Sequence, residues 1–202
     1  MSYGFQPIPG ATTVGLVCRD GVILTSEKRF SYGNFIMSKT VKKTFKITDN
    51  IGAACAGLVG DMQILMREAS IYASIYSYER ERISSVKTTA KVIGNLLFQR
   101  RLLPYIAQTI VGGVDDDGPS LYVLDVLGSI IKDKYATAGT GAEIAAGVLE
   151  NEYKDDMSIE EGKEIVVRAV KASIARDAAS GDGIDVMTIT KDGIKEESIG
   201  LG

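Results

Sequence analysis

The chain has 202 residues, of which 45% are hydrophobic and 24% charged, and a formal net charge of −3 at pH 7, which suits one globular domain. The small acidic charge gives no electrostatic footprint for nucleic acid or an anionic membrane, and no apolar run approaches the roughly 20 residues that span a bilayer. Residues 1–10 lack the basic start and apolar stretch of a secretory signal, so we expect a cytoplasmic protein that binds neither nucleic acid nor membrane.

The N-terminal quarter carries strand and turn signals. Residues 1–10 contain two prolines and are typical of a short extended leader. The pair Asp20-Gly21 lies between two runs rich in β-branched residues and predicts a hairpin. Four strands are predicted in this part of the chain, at 12–18, 22–26, 43–47 and 51–56.

Helical periodicity follows, then more strands, two further helices and two closing strands. One apolar face predicts the first helix: Met62, Leu65, Met66, Ala69, Ala73 and Tyr76. A second helix with an apolar face from Val86 to Leu97 should end before Pro104. Ser158 and Glu161 form a capping box that begins a helix expected to reach about residue 178. The remaining predicted elements are a helix at 142–153 and strands at 106–114, 121–126, 130–136, 184–190 and 194–198. This order alone predicts an α+β fold.

The chain contains no histidine, which removes the Ser-His-Asp and Cys-His catalytic arrangements and the HExxH zinc site. Cys18 and Cys55 alone cannot form an ordinary structural zinc site, and both lie in apolar runs. We expect buried, reduced thiols rather than a disulfide. Any nucleophilic catalysis must therefore take its base from a lysine, a carboxylate or a terminal amine.

Lys43 is singled out by the period of its strand. Alternation places Lys43 on the same face as the apolar side chains of Phe45 and Ile47, where an unpaired ammonium group is costly. A carboxylate partner is therefore expected.

Several motifs together resemble a known family. They are Gly10-Ala11-Thr12-Thr13-Val14-Gly15, Glu27, Lys43, the run 56–61, Gly139-Thr140-Gly141 and the run 176–181. From Gly10 to about Thr190, in order and with compatible spacing, they resemble a proteasome β-subunit of the archaeal kind, a threonine protease among the N-terminal-nucleophile hydrolases. The resemblance implies a four-layer αββα sandwich, with a propeptide at 1–10 and one protease domain at 11–202.

Ala11 stands where the resemblance places the nucleophilic threonine, directly after the propeptide cleavage residue Gly10. In the family the threonine attacks the carbonyl group of the preceding glycine, and its freed α-amine then serves as base. Alanine has no hydroxyl group. The resemblance therefore implies that this chain neither cuts itself nor cleaves substrates, and that residues 1–10 stay attached.

The resemblance also implies the supporting residues. Glu27 and Lys43 would sit beside the nucleophile and stabilise its deprotonated form, although an ordinary buried ion pair remains the alternative. Asp177 and Ser180 would hold the terminal amine, and the main-chain N–H of Gly57 would form the oxyanion hole. Thr140 replaces the usual serine of the family and keeps its hydroxyl group.

The hairpin register tests this arrangement. A two-residue turn at Asp20-Gly21 would pair Ala11 with Phe30 and put Glu27 on the opposite face. A three-residue loop at 19–21 would pair Ala11 with Arg29 and bring Glu27 onto the face of Ala11. The implied mechanism requires the second.

Further positions carried over from the family form the substrate pocket. The pocket-lining residues are Phe30, Val41, Phe45, Cys55, Val59 and Gln63. They carry no charge and most are apolar, so cleavage after hydrophobic residues is the expected preference. Ser31 and Gly57 should bind the peptide backbone as an added strand.

The resemblance also implies that the chain assembles with other subunits into a barrel-shaped particle. Seven-membered rings of β-subunits would stack in pairs, capped by rings of α-subunits, into a 28-subunit particle. An ATPase regulator docked on the α-ring would thread unfolded proteins inward. No metal or small cofactor is implied.

Two explanations of Ala11 stay open. One is an engineered inactive form, and the other is a natural non-catalytic subunit that completes a ring. Retention of Gly10, Glu27, Lys43, Asp177 and Ser180 favours the first, since nothing would preserve these residues in a subunit without activity. A different amidase on the same fold is disfavoured by the uncharged pocket and by the run 176–181.

Overall fold

The computed structural model describes residues 10–201. The expected leader lies outside the described residues except for Gly10. The helices are α1 (Val59–Arg80), α2 (Val86–Gln99), α3 (Ala142–Glu152) and α4 (Ile159–Ile174). The strands are β1 (Thr12–Cys18), β2 (Gly21–Glu27), β3 (Phe30–Tyr32), β4 (Phe35–Ser38), β5 (Thr44–Lys46), β6 (Ile51–Gly57), β7 (Ala107–Asp115), β8 (Gly118–Leu124), β9 (Ile130–Asp133), β10 (Tyr135–Gly139), β11 (Ile184–Thr190) and β12 (Gly193–Ile199). None of the described helices is both long and apolar enough to cross a membrane.

Two five-stranded antiparallel sheets form the centre of the fold. One has the strand order β10-β1-β2-β11-β12, and the other β5-β6-β7-β8-β9. Helices α3 and α4 contact the first sheet, whereas α1 and α2 contact the second. The predicted α+β class and four-layer αββα sandwich are confirmed.

Three apolar clusters hold the four layers together. The middle cluster lies between the sheets and includes Ala11, Leu24 and Leu121. A second fills the space between α1, α2 and their sheet, and a third lies beneath α3 and α4. The central strands β2 and β6 are covered on both faces and are buried along their whole length, whereas β9 and β12 at the sheet edges are largely exposed or only partly buried. Burial of this apolar surface is the main driving force of the fold.

Helix α4 begins where the sequence predicts and ends earlier. The side chain of Ser158 accepts from the main-chain N–H of Glu161, and the Glu161 carboxylate accepts from the N–H of Ser158, so the capping box is formed. The helix ends at Ile174 rather than near residue 178. The N–H groups of Arg176 and Asp177 share the carbonyl oxygen of Ser173, a pattern common at helix termini.

The predicted strand at 130–136 is wrong in one respect, because the structure divides it in two. Strand β9 pairs with β8 in one sheet, and β10 pairs with β1 in the other. The chain therefore crosses between sheets near Lys134. The sequence also gives no prediction for the small β3–β4 hairpin, whose second strand is mostly exposed.

Both predicted registers of the first hairpin are wrong. Cys18 pairs with Gly21, so the turn consists of Arg19 and Asp20, and Thr13 pairs with Ser26. The same register places Glu27 opposite Thr12, on the face of Thr12 rather than that of Ala11. Gly21 lies in the strand, paired with Cys18 and with Thr190 of the adjacent strand β11, and a Cβ atom there would lie 2.3 Å from the carbonyl oxygen of Ile189.

Candidate active site

A buried ion pair links the end of β2 to the residue before β5. The ammonium group of Lys43 donates to Glu27 Oε1 and, at 2.6 Å, to the carbonyl oxygen of Arg29. The side chains of Lys43 and Glu27 are 1% and 0% exposed. The expected carboxylate partner of Lys43 is therefore Glu27.

Glu27 is held by main-chain donors as well as by Lys43. Its Oε2 atom accepts from the N–H groups of Arg29 at 2.7 Å and Gly181 at 3.0 Å, and its Oε1 atom accepts from the N–H of Thr12 at 3.4 Å. The last contact brings the carboxylate to the residue that follows Ala11, despite the register. A charge this deep in the protein is tolerated because its acceptor sites are occupied.

Burial dominates the ionisation of both groups. It raises the pKa of the Glu27 carboxyl above its ordinary value, against the opposing effects of Lys43 and the N–H donors. Burial also lowers the pKa of the Lys43 ammonium, against the stabilising charge of Glu27. A lysine with a lowered pKa is closer to the range in which a side chain can exchange protons at neutral pH.

Ala11 is fully buried, and its main-chain polar groups are contacted by the turn before α3. Its N–H donates to the hydroxyl oxygen of Thr140 at 3.2 Å. Its carbonyl oxygen accepts from the N–H of Gly141 at 3.3 Å. The two main-chain groups of Ala11 are thus fixed by residues 129 and 130 positions away in the chain.

Asp177 connects this turn to the segment after α4. Its Oδ2 atom accepts from the hydroxyl groups of Thr140 at 2.5 Å and Ser180 at 2.7 Å. Its Oδ1 atom accepts from the N–H of Ala179 at 3.0 Å. Asp177 lies beyond the end of α4 at Ile174, in the non-helical segment that leads to Ser180.

A threonine that sequence reasoning missed completes the network. The hydroxyl oxygens of Thr12 and Ser180 lie 2.8 Å apart, and both side chains are buried. Since the single proton of Ser180 is directed at the carboxylate of Asp177, the hydroxyl of Thr12 is the donor to Ser180. Thr12 follows Ala11 directly, so strand alternation places its side chain on the face opposite that of Ala11. This alternation is the sequence feature from which its position could have been predicted.

Close packing around Ala11 requires glycines. A Cβ atom on Gly10 would lie 1.9 Å from the Cβ of Ala179, and one on Gly141 would lie 2.1 Å from the hydroxyl oxygen of Thr12. Gly57 ends β6 with φ of +145°, and a Cβ there would lie 1.9 Å from the carbonyl oxygen of Ile106. These contacts leave no room for side chains.

The predicted pocket residues fall into two groups. Phe45 and Val59 are partly buried and pack against the apolar cluster that contains Cys55, which is itself fully buried with its thiol 3.7 Å from the hydroxyl of Thr109. Phe30 and Val41 are partly buried, Gln63 is exposed and Ser31 is 4% exposed. Phe45, Cys55 and Val59 therefore belong to the same apolar region, whereas the side chain of Gln63 is exposed on α1.

A large cleft elsewhere is unrelated to these residues. It has a volume of about 730 Å³ and lies between the α1–α2 loop and the β7–β8 turn, and its lining includes Arg82, Asp115 and Lys191. None of its lining residues belongs to the Ala11 network. Among residues 10–201, no group of three or more acidic or cysteine side chains is arranged to hold a metal ion. Both cysteines are free and buried.

Comparison with known proteins identifies close relatives. A model of the proteasome subunit family matches residues 9–189. The chain is 50% identical over 189 residues to proteasome subunit beta 1 of Nitrosopumilus maritimus, covering 94% of this chain and 95% of that protein. It is 46% identical to proteasome subunit beta 1 of Cenarchaeum symbiosum, with 94% and 97% covered, and 44% identical to proteasome subunit beta 2 of Pyrobaculum calidifontis, with 95% of each covered.

Proposed function

The chain belongs to the proteasome subunit family, as a β-subunit of the archaeal type, and on this premise we propose that it is a threonine-peptidase subunit of the proteasome core whose nucleophilic hydroxyl is missing at Ala11. The observation that carries the proposal is the set of contacts around Ala11. Thr140 and Gly141 bond the main chain of Ala11, which has no reactive group, and Glu27 of the buried ion pair bonds the N–H of the next residue, Thr12.

A threonine at position 11 would complete this arrangement. Its hydroxyl would attack the carbonyl carbon of Gly10, forming an ester as the bond from that carbon to the nitrogen of residue 11 breaks. Water would then hydrolyse the ester, releasing residues 1–10 and leaving a free α-amine where Thr140 now accepts from the N–H of Ala11. That amine could take the proton of the hydroxyl during attack on a substrate, since free α-amines titrate near pH 8.

With alanine at position 11, the proposed role of the chain is that of a β-ring member without peptidase activity. Its partners would be α-subunits, other β-subunits and, through the α-ring, an ATPase that delivers unfolded proteins in the cytoplasm. An exposed apolar stripe on α1 supports assembly with other subunits, because such stripes are uncommon on monomeric proteins. Its members are Ile64, Ile71, Tyr72, Ile75 and Tyr78.

The test is to restore the hydroxyl group. This chain, the Ala11→Thr variant and the Ala11→Val variant are each assembled with proteasome α-subunits, and intact mass and hydrolysis of fluorogenic peptides are measured. Valine matches threonine in shape and lacks only the hydroxyl, so it controls for packing at position 11. We expect only Ala11→Thr to lose residues 1–10 and to hydrolyse peptides after hydrophobic residues.

The outcomes separate two functions. If Ala11→Thr assembles but neither cuts itself nor hydrolyses peptides, the subunit is structural and the catalytic roles proposed for Glu27 and Lys43 fail. If the unchanged Ala11 chain hydrolyses peptides in the same particle, the nucleophile lies elsewhere, and the proposal fails in the opposite way.

A further inference from the structure

The candidate site has two halves, the Glu27–Lys43 ion pair and the network around Asp177 and Ser180, and Arg29 lies between them. Its main chain belongs to the Glu27–Lys43 half. The N–H of Arg29 donates to Glu27 Oε2 at 2.7 Å, and its carbonyl oxygen accepts from the ammonium of Lys43 at 2.6 Å. The backbone of Arg29 is thus bonded to both members of the buried ion pair.

The side chain of Arg29 reaches the other half. Its Nε atom donates to Asp182 Oδ2 at 2.7 Å, and one terminal nitrogen donates to the carbonyl oxygen of Ala178 at 2.9 Å. Ser180, which contacts Thr12, lies within the segment 178–182 that these two bonds enclose. Asp177, which contacts Thr140, directly precedes that segment. One guanidinium group therefore fixes both ends of the segment.

Three further observations indicate that this contact is built into the fold. The guanidinium lies against Gly181, where a Cβ atom would be 2.4 Å from a terminal nitrogen of Arg29. Asp182 has a φ of +66°, which is uncommon for a residue other than glycine. The Arg29 and Asp182 side chains are 21% and 14% exposed, and the guanidinium beside Asp182 lowers the pKa of that carboxyl.

We propose that Arg29 is a positioning residue, which sets Asp177 and Ser180 at the distance from Glu27 and Lys43 that catalysis by a residue-11 threonine requires. The inference rests on the proposed function for its catalytic consequence, but its structural part can be measured without activity. Main-chain bonds from Gly181 to Glu27 and from Lys28 to Gly181 also join the halves. Both of these bonds involve Gly181 alone, whereas the side chain of Arg29 bonds Ala178 and Asp182.

The first measurement is amide hydrogen exchange in the segment 177–182 of the Ala11 chain. Loss of the guanidinium in Arg29→Ala should speed exchange there by about tenfold or more, and Arg29→Lys, which can keep the bond to Asp182 but not both bonds, should lie between. Arg19→Ala is the matched control, since Arg19 also pairs with an aspartate, Asp20, but at an exposed turn. Unchanged exchange in Arg29→Ala overturns the inference, whatever the activity of any variant.

The second measurement uses the Ala11→Thr chain assembled with α-subunits. Misplacement of reacting groups by about 1 Å can cost on the order of 100-fold in rate, so we expect Arg29→Ala and Asp182→Asn to lower kcat by tenfold or more. KM should change less than kcat, Arg29→Lys should recover part of the loss, and particle assembly should be unaffected. An inactive Ala11→Thr parent would refute the proposed function alone, whereas an active parent with equally active Arg29 variants would refute the catalytic part of this inference.

Discussion

The main-chain N–H of Ala11 donates a hydrogen bond to the hydroxyl oxygen of Thr140 at 3.2 Å. The same hydroxyl donates to Asp177 at 2.5 Å, so its acceptor side faces the nitrogen of residue 11. If the peptide bond before residue 11 were cut, the α-amine left at this nitrogen would still have the Thr140 hydroxyl as its hydrogen-bond acceptor. The methyl group that distinguishes Thr140 from a serine does not prevent this hydrogen bond.

This relationship predicts that Thr140 and serine are interchangeable, whereas loss of the hydroxyl is not tolerated. In the Ala11→Thr background, Thr140→Ser should retain kcat within about threefold, and Thr140→Val should lower it about 100-fold or more, as expected for a group that orients a base. Steady-state peptide hydrolysis by the assembled particle measures both. Equal activity in the valine variant would show that Thr140 does not orient the amine.

The buried ion pair predicts an asymmetric effect on stability. Lys43→Met leaves the Glu27 carboxylate buried without its cation and should lower the free energy of unfolding by about 3–5 kcal/mol. The double variant Lys43→Met with Glu27→Leu should lose less, because no charge is left uncompensated. Urea denaturation of the isolated chains measures both values, and a double variant less stable than Lys43→Met would contradict the prediction.

The same variant predicts a pH dependence. Burial raises the folded-state pKa of Glu27 above its ordinary value of 4.5, and removal of the Lys43 charge removes the main effect opposing this. A carboxyl group whose folded-state pKa is raised favours the folded state at low pH, and this benefit is lost as the pH rises through that pKa. The penalty of Lys43→Met should therefore be smaller at pH 5 than at pH 8. A penalty that grows on acidification would contradict the expected direction for Glu27.

Periodicity was sufficient to predict the α+β class, whereas the four-layer order followed from the family resemblance. The apolar faces of α1 and α2 and the capping box of α4 depend on local sequence, and the structure places them where the pattern indicates. The pairing of Lys43 with a carboxylate also followed from local alternation, since a lysine among apolar neighbours needs a partner.

What the sequence could not predict depends on contacts between distant segments. The observed register of the first hairpin brings Gly21 into β2, where it pairs with Thr190 of β11, 169 positions away. The division of 130–136 is imposed by two different partner strands, β8 and β1. Arg29 is missed for the same reason, because its side chain acts on the segment near Asp182 rather than on its sequence neighbours.

The two cysteines predict the behaviour of the chain toward thiol reagents. Burial raises the pKa of Cys18 and of Cys55 to about 12, and the two thiols lie in different apolar clusters. A thiol with such a pKa is protonated and unreactive at pH 8. A thiol-disulfide reagent should therefore label neither cysteine in the native chain and both in denaturant. Rapid labelling of either cysteine in the native state would show that its layer opens.

Gly10 predicts an effect on self-cleavage that disappears once cleavage is complete. A Cβ atom there would lie 1.9 Å from the Cβ of Ala179, so Gly10→Ala must displace either residue 10 or the segment that carries Asp177 and Ser180. In the Ala11→Thr background it should slow release of residues 1–10 by about tenfold or more. The cleaved subunit no longer contains residue 10, so its peptide hydrolysis per cleaved site should equal that of the parent. Gly147→Ala is the control, because a Cβ atom at Gly147 meets nothing within 4 Å. A time course of intact mass, paired with hydrolysis rates, separates the two effects, and a normal cleavage rate in Gly10→Ala would show that this contact is not maintained during the reaction.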